Sequence, residues 1–529
     1  MTDINQLDKD LKSGRISRRD FVKLSAMFGL TAAAPGILLA GSHGGPKKGG
    51  HLKLAIGHGS TTDSLDPATY ENGFAQAMAF AIHNYLTEVK ADGSLAGELA
   101  ESFEASADAK TWTFKLRKAK FHNGKSVTAK DVIASIEHHR GEDSKSGGKA
   151  VADTIESMKA DGDSAVIFTL KEGNADFPYM ASDYHLAILP TDDSGKIDPV
   201  AGIGAGAYTL KSYEPGVKAE FEKFPDYWNE NEGHVDTAEI LTVADVAART
   251  NALTTGEADV IDRLDIKTLH LLKRKPGVKI METSGNAHYS MPMRCDTDPY
   301  KSNDVRMALK LSMDREALLQ NVLRGHGYVG NDHPIGRANR YLAKDLEQRT
   351  YDPDKAKHHL KKAGAEGLKI QLSAADAAFA GAVDAAVLYK EQAAKAGINI
   401  EVVREPNDGY WSNVWMKKPY CMCYWGGRPT EDWMFVSAYA ADSKWNDAFW
   451  QHERFNKVLV EARSELDEAK RAEMYAELQT IVRDEAGTAI PMFNNYVFAS
   501  SDKVSQPEQM GNNWPLDGNR AIQRWWKTG

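Results

Sequence analysis

The stretch Thr111-Trp-Thr-Phe-Lys-Leu-Arg-Lys-Ala-Lys-Phe-His-Asn-Gly-Lys-Ser-Val-Thr-Ala-Lys-Asp-Val132 contains the local signals of several secondary-structure elements. Its first six residues alternate between polar and apolar side chains, which is the period of a strand with one buried face. Asn123-Gly124 tolerates the positive φ angles of a tight turn. Thr128 and Asp131 form a variant of the capping box, so a helix should begin there. The stretch therefore predicts the order strand, turn, strand and capped helix of an α/β protein.

The length and charge of the chain limit the possible classes of protein. With 529 residues it is too long for one simple core, which predicts two large lobes or several domains. It has 65 Lys and Arg against 74 Asp and Glu, a net charge of −9. No long basic run follows residue 50, so nucleic-acid binding has no electrostatic support. Cys295, Cys421 and Cys423 lack metal-ligand spacing, and reduced, buried thiols are expected because a Cys421–Cys423 bridge would close a strained ring.

The N-terminus has the pattern of an export signal. Ser17-Arg-Arg-Asp-Phe-Val-Lys23 matches the twin-arginine motif and precedes an apolar run of small residues, 24–40, that is too short and broken to span a bilayer. Leu38-Leu-Ala-Gly-Ser42 resembles a lipobox but has Ser in place of the lipid-bearing Cys. We therefore predict a twin-arginine signal peptide at 1–40 and a flexible spacer at 41–50. The mature protein is expected to be periplasmic and not a lipoprotein.

A second stretch has the composition of a binding wall. Tyr420-Cys-Met-Cys-Tyr-Trp-Gly-Gly-Arg-Pro-Thr-Glu-Asp-Trp-Met-Phe435 combines aromatic rings, one guanidinium and two carboxylates. Its first residues alternate as in a strand, and Gly426-Gly427 ends that strand where backbone can approach a ligand without a Cβ. Trp425 and Arg428 would then face the ligand. A buried strand followed by an ordinary Gly-Pro turn explains this fragment equally well.

Motifs of catalysis and cofactor binding are absent from the sequence. There is no Walker lysine motif, His-Glu-x-x-His pair or Gly-x-Ser-x-Gly elbow. Gly202-x-Gly-x-Gly206 is followed by an alternating segment, 208–213, so a turn between extended segments is predicted rather than a dinucleotide site. The sixteen histidines lie in polar, helix-like surroundings, which favours solvated surface over metal ligation. We expect no catalytic residues, metal or cofactor; an exported redox enzyme is the less favoured alternative.

The second half of the chain alternates helices with short strands. Residues 385–396 predict a helix that ends at Gly397, and 398–403 predict a strand. Two amphipathic helices are predicted between 452 and 484, and Ile490-Pro-Met-Phe493 returns to extended structure.

These motifs together resemble a known family. Thr111–Val132 is similar to the signature of family 5 extracellular solute-binding proteins, the dipeptide- and oligopeptide-binding components of ABC importers. Other landmarks of that family follow in the correct order: Gly202–Tyr208, Pro225–Trp228, Ala252–Asp259, Asp304–Leu309 and Ser312–Arg315. The resemblance implies an α/β, two-lobed periplasmic binding protein fold (type II, cluster C-like) with an extra subdomain in lobe one. On this basis lobe one is expected at 51–284 and 489–529, and lobe two at 285–488.

The resemblance also implies a function. The protein would be the periplasmic receptor of an ABC transporter, which captures a peptide or peptide-like solute between two closing lobes. It would deliver the solute, unaltered, to an inner-membrane permease driven by its ATPase. We expect a monomer with no nucleic-acid partner. The alternative is the same receptor role for a non-peptide anionic or amphoteric solute, such as an opine or an amino-acid derivative.

One departure from the family affects the predicted ligand. Peptide-binding relatives have an aspartate for the α-ammonium shortly after the position of Trp425, whereas this chain has Arg428. A guanidinium could bind a carboxylate, sulfate or phosphate through paired hydrogen bonds. Alternatively Glu431 or Asp432 binds the amine, and Arg428 only pairs with them.

The remaining site residues are inferred by position. Glu71 resembles a cleft acid of oligopeptide-binding relatives, and Asn494, Asn495 and Tyr496 follow the returning strand where they could form hydrogen bonds with a ligand. The tryptophans 411, 415, 425 and 433 are candidates for lining the cleft. The predicted ligand-binding set is Glu71, Trp411, Trp425, Gly426, Gly427, Arg428, Asp432, Asn494, Asn495 and Tyr496.

Overall fold

A computed structural model describes residues 45–407 and 409–528. The predicted signal peptide, 1–40, lies outside these residues, as does the start of the predicted spacer. Residues 48–529 form one compact unit. None of the helices in the described part of the chain has both the length and the apolar character needed to cross a membrane.

The described residues contain strands and helices in alternation. The strands are β1 His51–Ile56, β2 Thr87–Val89, β3 Leu95–Gly97, β4 Ala100–Ala105, β5 Thr111–Leu116, β6 Ile155–Asp161, β7 Ala165–Leu170, β8 Tyr208–Glu214, β9 Lys218–Lys223, β10 Thr237–Thr242, β11 Val260–Ile261, β12 Val278–Pro292, β13 Gly327–Val329, β14 Lys369–Ala374, β15 Asn399–Arg404, β16 Cys423–Trp425, β17 Thr488–Ser501, β18 Val504–Ser505 and β19 Trp526–Lys527. The helices are α1 Gly73–Ile82, α2 Ala129–Glu137, α3 Lys149–Ala152, α4 Phe177–Met180, α5 Val246–Thr255, α6 Leu269–Leu272, α7 Asn303–Leu311, α8 Arg315–Val322, α9 Pro353–Lys362, α10 Ala382–Ala394, α11 Tyr410–Asn413, α12 Glu431–Ala438, α13 Glu453–Ser464, α14 Glu468–Glu485, α15 Pro515–Gly518 and α16 Ala521–Arg524.

The largest sheet has nine strands. Its order is β16-β12-β17-β11-β1-β10-β9-β8, with β13 also paired to β17. β1 is parallel to β10 and β11, whereas β12 and β17 are antiparallel to each other. Helix α1 and the C-terminal segment cover the part of the sheet around β1 and form one core with it.

The two longest strands, β12 and β17, extend through two cores. Met281 and Phe498 belong to the core around β1, whereas Met291 and Met492 belong to a second core built by helices α7 to α10. The ladder between the two strands is irregular after Ser284, near their middle. A pair of strands shared by two cores is the kind of connection about which lobes move as rigid bodies.

The signature stretch forms the predicted first strand, turn and capped helix, whereas the predicted second strand is reduced to a single bridge. β5 lies in a separate four-stranded antiparallel sheet of order β4-β5-β7-β6. The turn has φ of 85° at Gly124 and is closed by a bridge between Lys120 and Ser126. The Asp131 carboxylate then accepts hydrogen bonds from the Thr128 N–H at 2.9 Å and the Thr128 hydroxyl at 2.7 Å. The capping box therefore starts α2, which packs on this small sheet.

The predictions for the second half are also confirmed. Helix α10 is followed by Gly397 at φ 78° and then by β15. Helices α13 and α14 are the two predicted amphipathic segments, and the returning strand is β17. The segment after Gly206 is β8, and an added Cβ at Gly204 would lie 1.9 Å from the Ile82 carbonyl oxygen. That glycine cluster therefore serves close packing against the end of α1.

The strand predicted before Gly426 is confirmed as β16, and Tyr420, Cys421, Met422 and Cys423 are all buried. The cysteines are free thiols, as expected.

The expectation that the histidines are solvated is wrong. His83, His139, His288 and His333 are buried rather than solvated. Burial lowers the pKa of His83 to about 3 and that of His139 to about 4, so these rings are neutral. A neutral imidazole can be buried once it has a hydrogen-bond partner; for His139 this is the Ser146 hydroxyl at 2.6 Å. Across the described residues, no group of His, Cys, Asp and Glu could hold a metal ion.

Candidate functional site

The segment after β16 lies at the boundary between the predicted lobes, where Pro429 lines two cavities together with Val89 and Tyr179. An added Cβ at Gly427 would lie 2.2 Å from the Asn286 Cβ on strand β12, so only glycine fits there. At Gly426 the nearest atom would be 3.9 Å away, which leaves that backbone open. Asn286 and Asn339 donate from Nδ2 to the Arg428 carbonyl at 3.5 and 3.3 Å. The backbone at 427–428 is therefore fixed against the crossing strand.

The Arg428 guanidinium is half-buried and has no acidic partner among the residues that the structure describes. Its Nη1 donates to the carbonyl oxygens of Gly426 at 3.0 Å and Gly427 at 3.3 Å. Its Cζ lies 5.9 Å from the Trp425 ring centroid. Burial lowers the pKa of Arg428, while nearby Tyr184 and Asp183 raise it. Within residues 45–407 and 409–528, Arg428 forms no ion pair, so a partly desolvated positive charge is left for another group to neutralise.

The facing wall is centred on Tyr184. Burial raises the pKa of Tyr184 above its usual range, and the charges of Asp183, Arg428 and Glu71 also act on this hydroxyl. Gln76 forms a hydrogen bond with it. Glu71 is exposed, and Asp183 is paired with His185 at 2.6 Å. Glu71 and Arg428, one from each predicted lobe, therefore lie near the same tyrosine.

Two narrow cavities lie at this boundary. One of about 20 Å³ is lined by Asn286, Arg340 and Glu431, and one of about 30 Å³ by Tyr184, Trp433 and other residues. Each has room for about one or two water molecules. The two walls are thus in close contact, and a solute would enter only when they separate.

The two acids after Arg428 have other partners. Asp432 accepts from Arg463 Nε at 3.1 and 3.2 Å, and Glu431 accepts from the Tyr341 N–H at 2.6 Å. Burial raises the pKa of Glu431 to about 7 and that of Asp432 to about 6. The alternative in which Arg428 pairs with these acids is therefore wrong.

A buried carboxylate orients two of the candidate tryptophans. Asp447 Oδ2 accepts from Trp415 Nε1 at 3.1 Å and from Trp425 Nε1 at 3.2 Å, and burial raises the pKa of Asp447 to about 6. Trp411 is exposed on α11, where its ring meets those of Tyr424 and Trp415. It lies on the outer side of this aromatic group.

The residues predicted on the returning strand lie on β17. Asn494 is opposite Gly327 of β13, and Asn495 donates from Nδ2 to Glu282 at 2.6 Å. Tyr496 packs against the core around β1, and burial raises its pKa to about 12. The structure thus groups Glu71, Trp425, Gly426, Gly427 and Arg428 at the lobe boundary, with Asp432 beside them, and places the β17 residues on the connecting strand.

A second charged cluster bridges the predicted lobes. Asp176, at the start of α4, pairs through Oδ2 with Arg471 at 2.6 Å and through Oδ1 with Arg340 at 3.3 Å. Asp176 and Arg471 are each 1% exposed. Neither Asp176 nor Tyr184 was predicted, because nothing in their local sequence distinguishes them from ordinary polar residues.

Comparison with known proteins points to one family. The family described as bacterial extracellular solute-binding proteins, family 5 Middle, matches residues 94–447. The Dipeptide-binding protein of Escherichia coli K12 is 25% identical over 473 residues, 81% of this chain and 86% of that protein.

Solved structures share the fold. AgaA of A. tumefaciens R10, in complex with agropinic acid, has a TM-score of 0.72 at 22% identity and covers 91% of this chain and 99% of its own. DppA of Helicobacter pylori, in complex with the peptide STSA, has a TM-score of 0.71 at 20% identity. The match covers 91% of this chain and 99% of the DppA chain. The fold is thus the two-lobed fold of periplasmic binding proteins.

Proposed function

Because the chain belongs to family 5 of the bacterial extracellular solute-binding proteins, we propose that it captures a peptide or peptide-like solute between its lobes and delivers it to the permease and ATPase of an ABC importer. The Escherichia coli relative is a dipeptide-binding protein, and the Helicobacter pylori neighbour is in complex with a peptide. Both support this ligand class. The solute would be bound and released without chemical change.

The observation that carries the proposal is the unpaired guanidinium at the lobe boundary. Arg428 on one wall and Glu71 on the facing wall, which also contains Tyr184, both act electrostatically on that tyrosine. Opposite charges on facing walls suit a solute that has both a carboxylate and an ammonium. A peptide has both. Binding would hold the two walls together and favour the closed form.

A second candidate is a non-peptide anionic or amphoteric solute, such as an opine or an amino-acid derivative. The neighbour AgaA is in complex with agropinic acid, and Arg428 stands where peptide-binding relatives have an aspartate. In this version Arg428 binds the carboxylate of the solute, and no free α-ammonium is required.

The cleft would be formed by Glu71, Trp425, Gly426 and Arg428, with Gly427 fixing the turn. Asp432, Trp411 and the β17 residues Asn494, Asn495 and Tyr496 stay predictions for ligand contact. We also propose lobe one at 51–284 and 489–529, lobe two at 285–488, a monomeric state, and a periplasmic location reached by twin-arginine export without a lipid anchor.

The test combines ligand discovery with one substitution. Native mass spectrometry of freshly purified protein would identify a co-purified solute, and a thermal-shift screen of dipeptides, amino-acid derivatives and organic anions would find others. A ligand at about a hundred times its Kd adds roughly 2.7 kcal/mol of stability. Arg428→Ala should then cost about 2–5 kcal/mol of binding free energy in calorimetric titration, because it removes a partly buried charge contact.

The control is Arg454→Ala. Arg454 forms an exposed ion pair with Glu477 at 2.6 Å. The Arg454→Ala variant should therefore bind the solute as tightly as the wild type does. Equal affinity of Arg428→Ala and the wild type would remove Arg428 from the site. Conversion of the solute to a product would contradict the receptor role itself.

A further inference from the structure

A large cavity adjoins the narrow boundary cavities. It has a volume of about 560 Å³, which is within the range of about 300–1,000 Å³ typical of small-molecule sites. One wall comes from α3, the end of β7 and the loop around α4; the other comes from α12, α13 and Trp445. Both predicted lobes therefore contribute to it. Among the residues named as site candidates, Asp432 and Trp433 line it.

The cavity presents apolar side chains between charges that are already paired. Val151, Met180, Trp433, Val436 and Trp445 supply apolar surface. Among the charged lining residues, Arg463 is paired with Asp432 at 3.1 Å, and Asp153 is paired with Lys149 at 2.6 Å. The paired groups are satisfied without a ligand, so the surface left for a ligand in this part of the cavity is largely apolar.

Trp445 supports a binding role. Its side chain is 52% exposed, whereas Trp425, whose ring centroid lies 6.3 Å away, is buried. A large aromatic ring left half in solvent on a cavity wall offers apolar area that a bound group can cover. The two rings form a tilted aromatic pair with an interplanar angle of 56°.

The cavity is adjacent to the proposed cleft, because the two share lining residues. Trp433 lines both this cavity and the narrow one that contains Tyr184. Thr430 lines both this cavity and the narrow one that contains Asn286. A solute whose charged groups lie between Arg428 and Glu71 could therefore extend a side group past Trp433.

We propose that this cavity, here called the side-group cavity, holds a large apolar, preferably aromatic, group of the solute. The inference rests on the proposed function, because it assumes that the charged part of the same solute lies in the cleft. It narrows the ligand class to peptide-like solutes with an aromatic or long apolar side chain. Small polar dipeptides would leave Trp433 and Trp445 exposed and should bind more weakly.

The experiment titrates alanyl-alanine and alanyl-tryptophan, which share their charged groups and differ in one side chain. On the wild type, alanyl-tryptophan should bind about ten- to a hundredfold more tightly, as expected for burial of a large apolar group. In Trp445→Ala the ratio of the Kd of alanyl-alanine to that of alanyl-tryptophan should fall toward one, mainly through weaker binding of alanyl-tryptophan. Ser437→Trp, which fills the cavity from α12, should have the same effect on the ratio and spare alanyl-alanine.

Val460→Ala is the matched control, because Val460 is 57% exposed on α13 and does not line the cavity. The ratio of the two dipeptide Kd values in Val460→Ala should equal that in the wild type. If both dipeptides bind the wild type equally, or if Trp445→Ala and Ser437→Trp keep the wild-type ratio, the side-group cavity is not part of the site. If neither dipeptide binds, peptide capture itself is wrong and this inference fails with it.

Discussion

Two charged clusters lie at the same lobe boundary and differ in one respect. In the first, Asp176 is shared by Arg471 and Arg340, so the carboxylate has a partner for each oxygen. In the second, Arg428 donates only to two backbone carbonyls, and the nearest acids are engaged elsewhere or exposed. A satisfied cluster can hold the two walls together on its own. The Arg428 guanidinium gains an oppositely charged partner only when a ligand supplies one.

The difference follows from the cost of burying charge. A buried ion pair offsets its desolvation only when both members are present with good geometry, and removal of one member leaves an uncompensated charge. Asp176 and Arg471 are in that situation. Arg428 is only half-buried, so water can still solvate part of its guanidinium. This contrast predicts that truncation of Arg471 weakens the closed arrangement without ligand, whereas truncation of Arg428 does not.

The largest expected effect is that of Arg471→Ala. It leaves the Asp176 carboxylate without its shortest ion pair, which should disfavour the closed arrangement by about 3–5 kcal/mol. We expect a larger radius of gyration in solution scattering and a lower Tm. Arg428→Ala, measured in the same way without ligand, should change neither, because no ion pair is lost. Equal behaviour of the two variants would mean that the clusters do not differ as described.

An intermediate effect concerns pH and Glu431, which lies beside the Asp176 cluster. Burial raises its pKa from 4.5 to about 7, so the folded protein keeps a proton that the unfolded chain releases. The free energy of unfolding should therefore fall as pH rises from about 4.5 to about 7, by on the order of 2–3 kcal/mol from this group.

Glu431→Gln tests this dependence. Glutamine has no charge to lose, so urea unfolding at pH 5 and pH 8 should show a smaller stability difference than in the wild type. The exposed Glu453→Gln is the control and should keep the wild-type difference. A Glu431→Gln profile parallel to that of the wild type would show that Glu431 ionises normally in the folded protein.

The smallest expected effect concerns how Arg428 is held. Since its position depends on backbone contacts rather than on an acid, Gly427→Ala should disturb it by forcing a Cβ against Asn286. We expect a loss of about 1–3 kcal/mol in unfolding free energy, typical of overpacking, and weaker solute binding. Gly426→Ala, whose added Cβ meets open space, should have the stability of the wild type. Equal stabilities of the two variants would contradict the close approach.

Much of the fold was predictable because its signals are local. The Thr128–Asp131 cap, the Gly397 helix end and the alternation of β5 each depend on neighbouring residues, and each is found in the structure. Their order along the chain resembles that of the family, and this resemblance led to the two-lobed fold. The burial of several histidines was missed, because it depends on which distant elements cover them.

Apart from Glu71, which was inferred from the family resemblance, the site was predictable where it is contiguous. Trp425, Gly427 and Arg428 lie in one stretch whose composition is unusual, and the structure places all three at the lobe boundary. Tyr184 and Asp176 come from distant parts of the chain and have no distinguishing local pattern. The pairing of Arg463 with Asp432 likewise joins separate helices, and it shows that Arg428 has no acidic partner there.

The sequence by itself determined the elements, the family and the positive charge at position 428, because residue type, short-range periodicity and motif order are properties of neighbouring positions. Only the tertiary structure decided which charges are paired. Whether Arg428 has an acidic partner, and whether Asp176 has two basic ones, depends on side chains brought together by folding. Two opposite charges in contact hold the walls together. A charge whose nearest opposite charge is a few ångströms farther away can instead bind a solute.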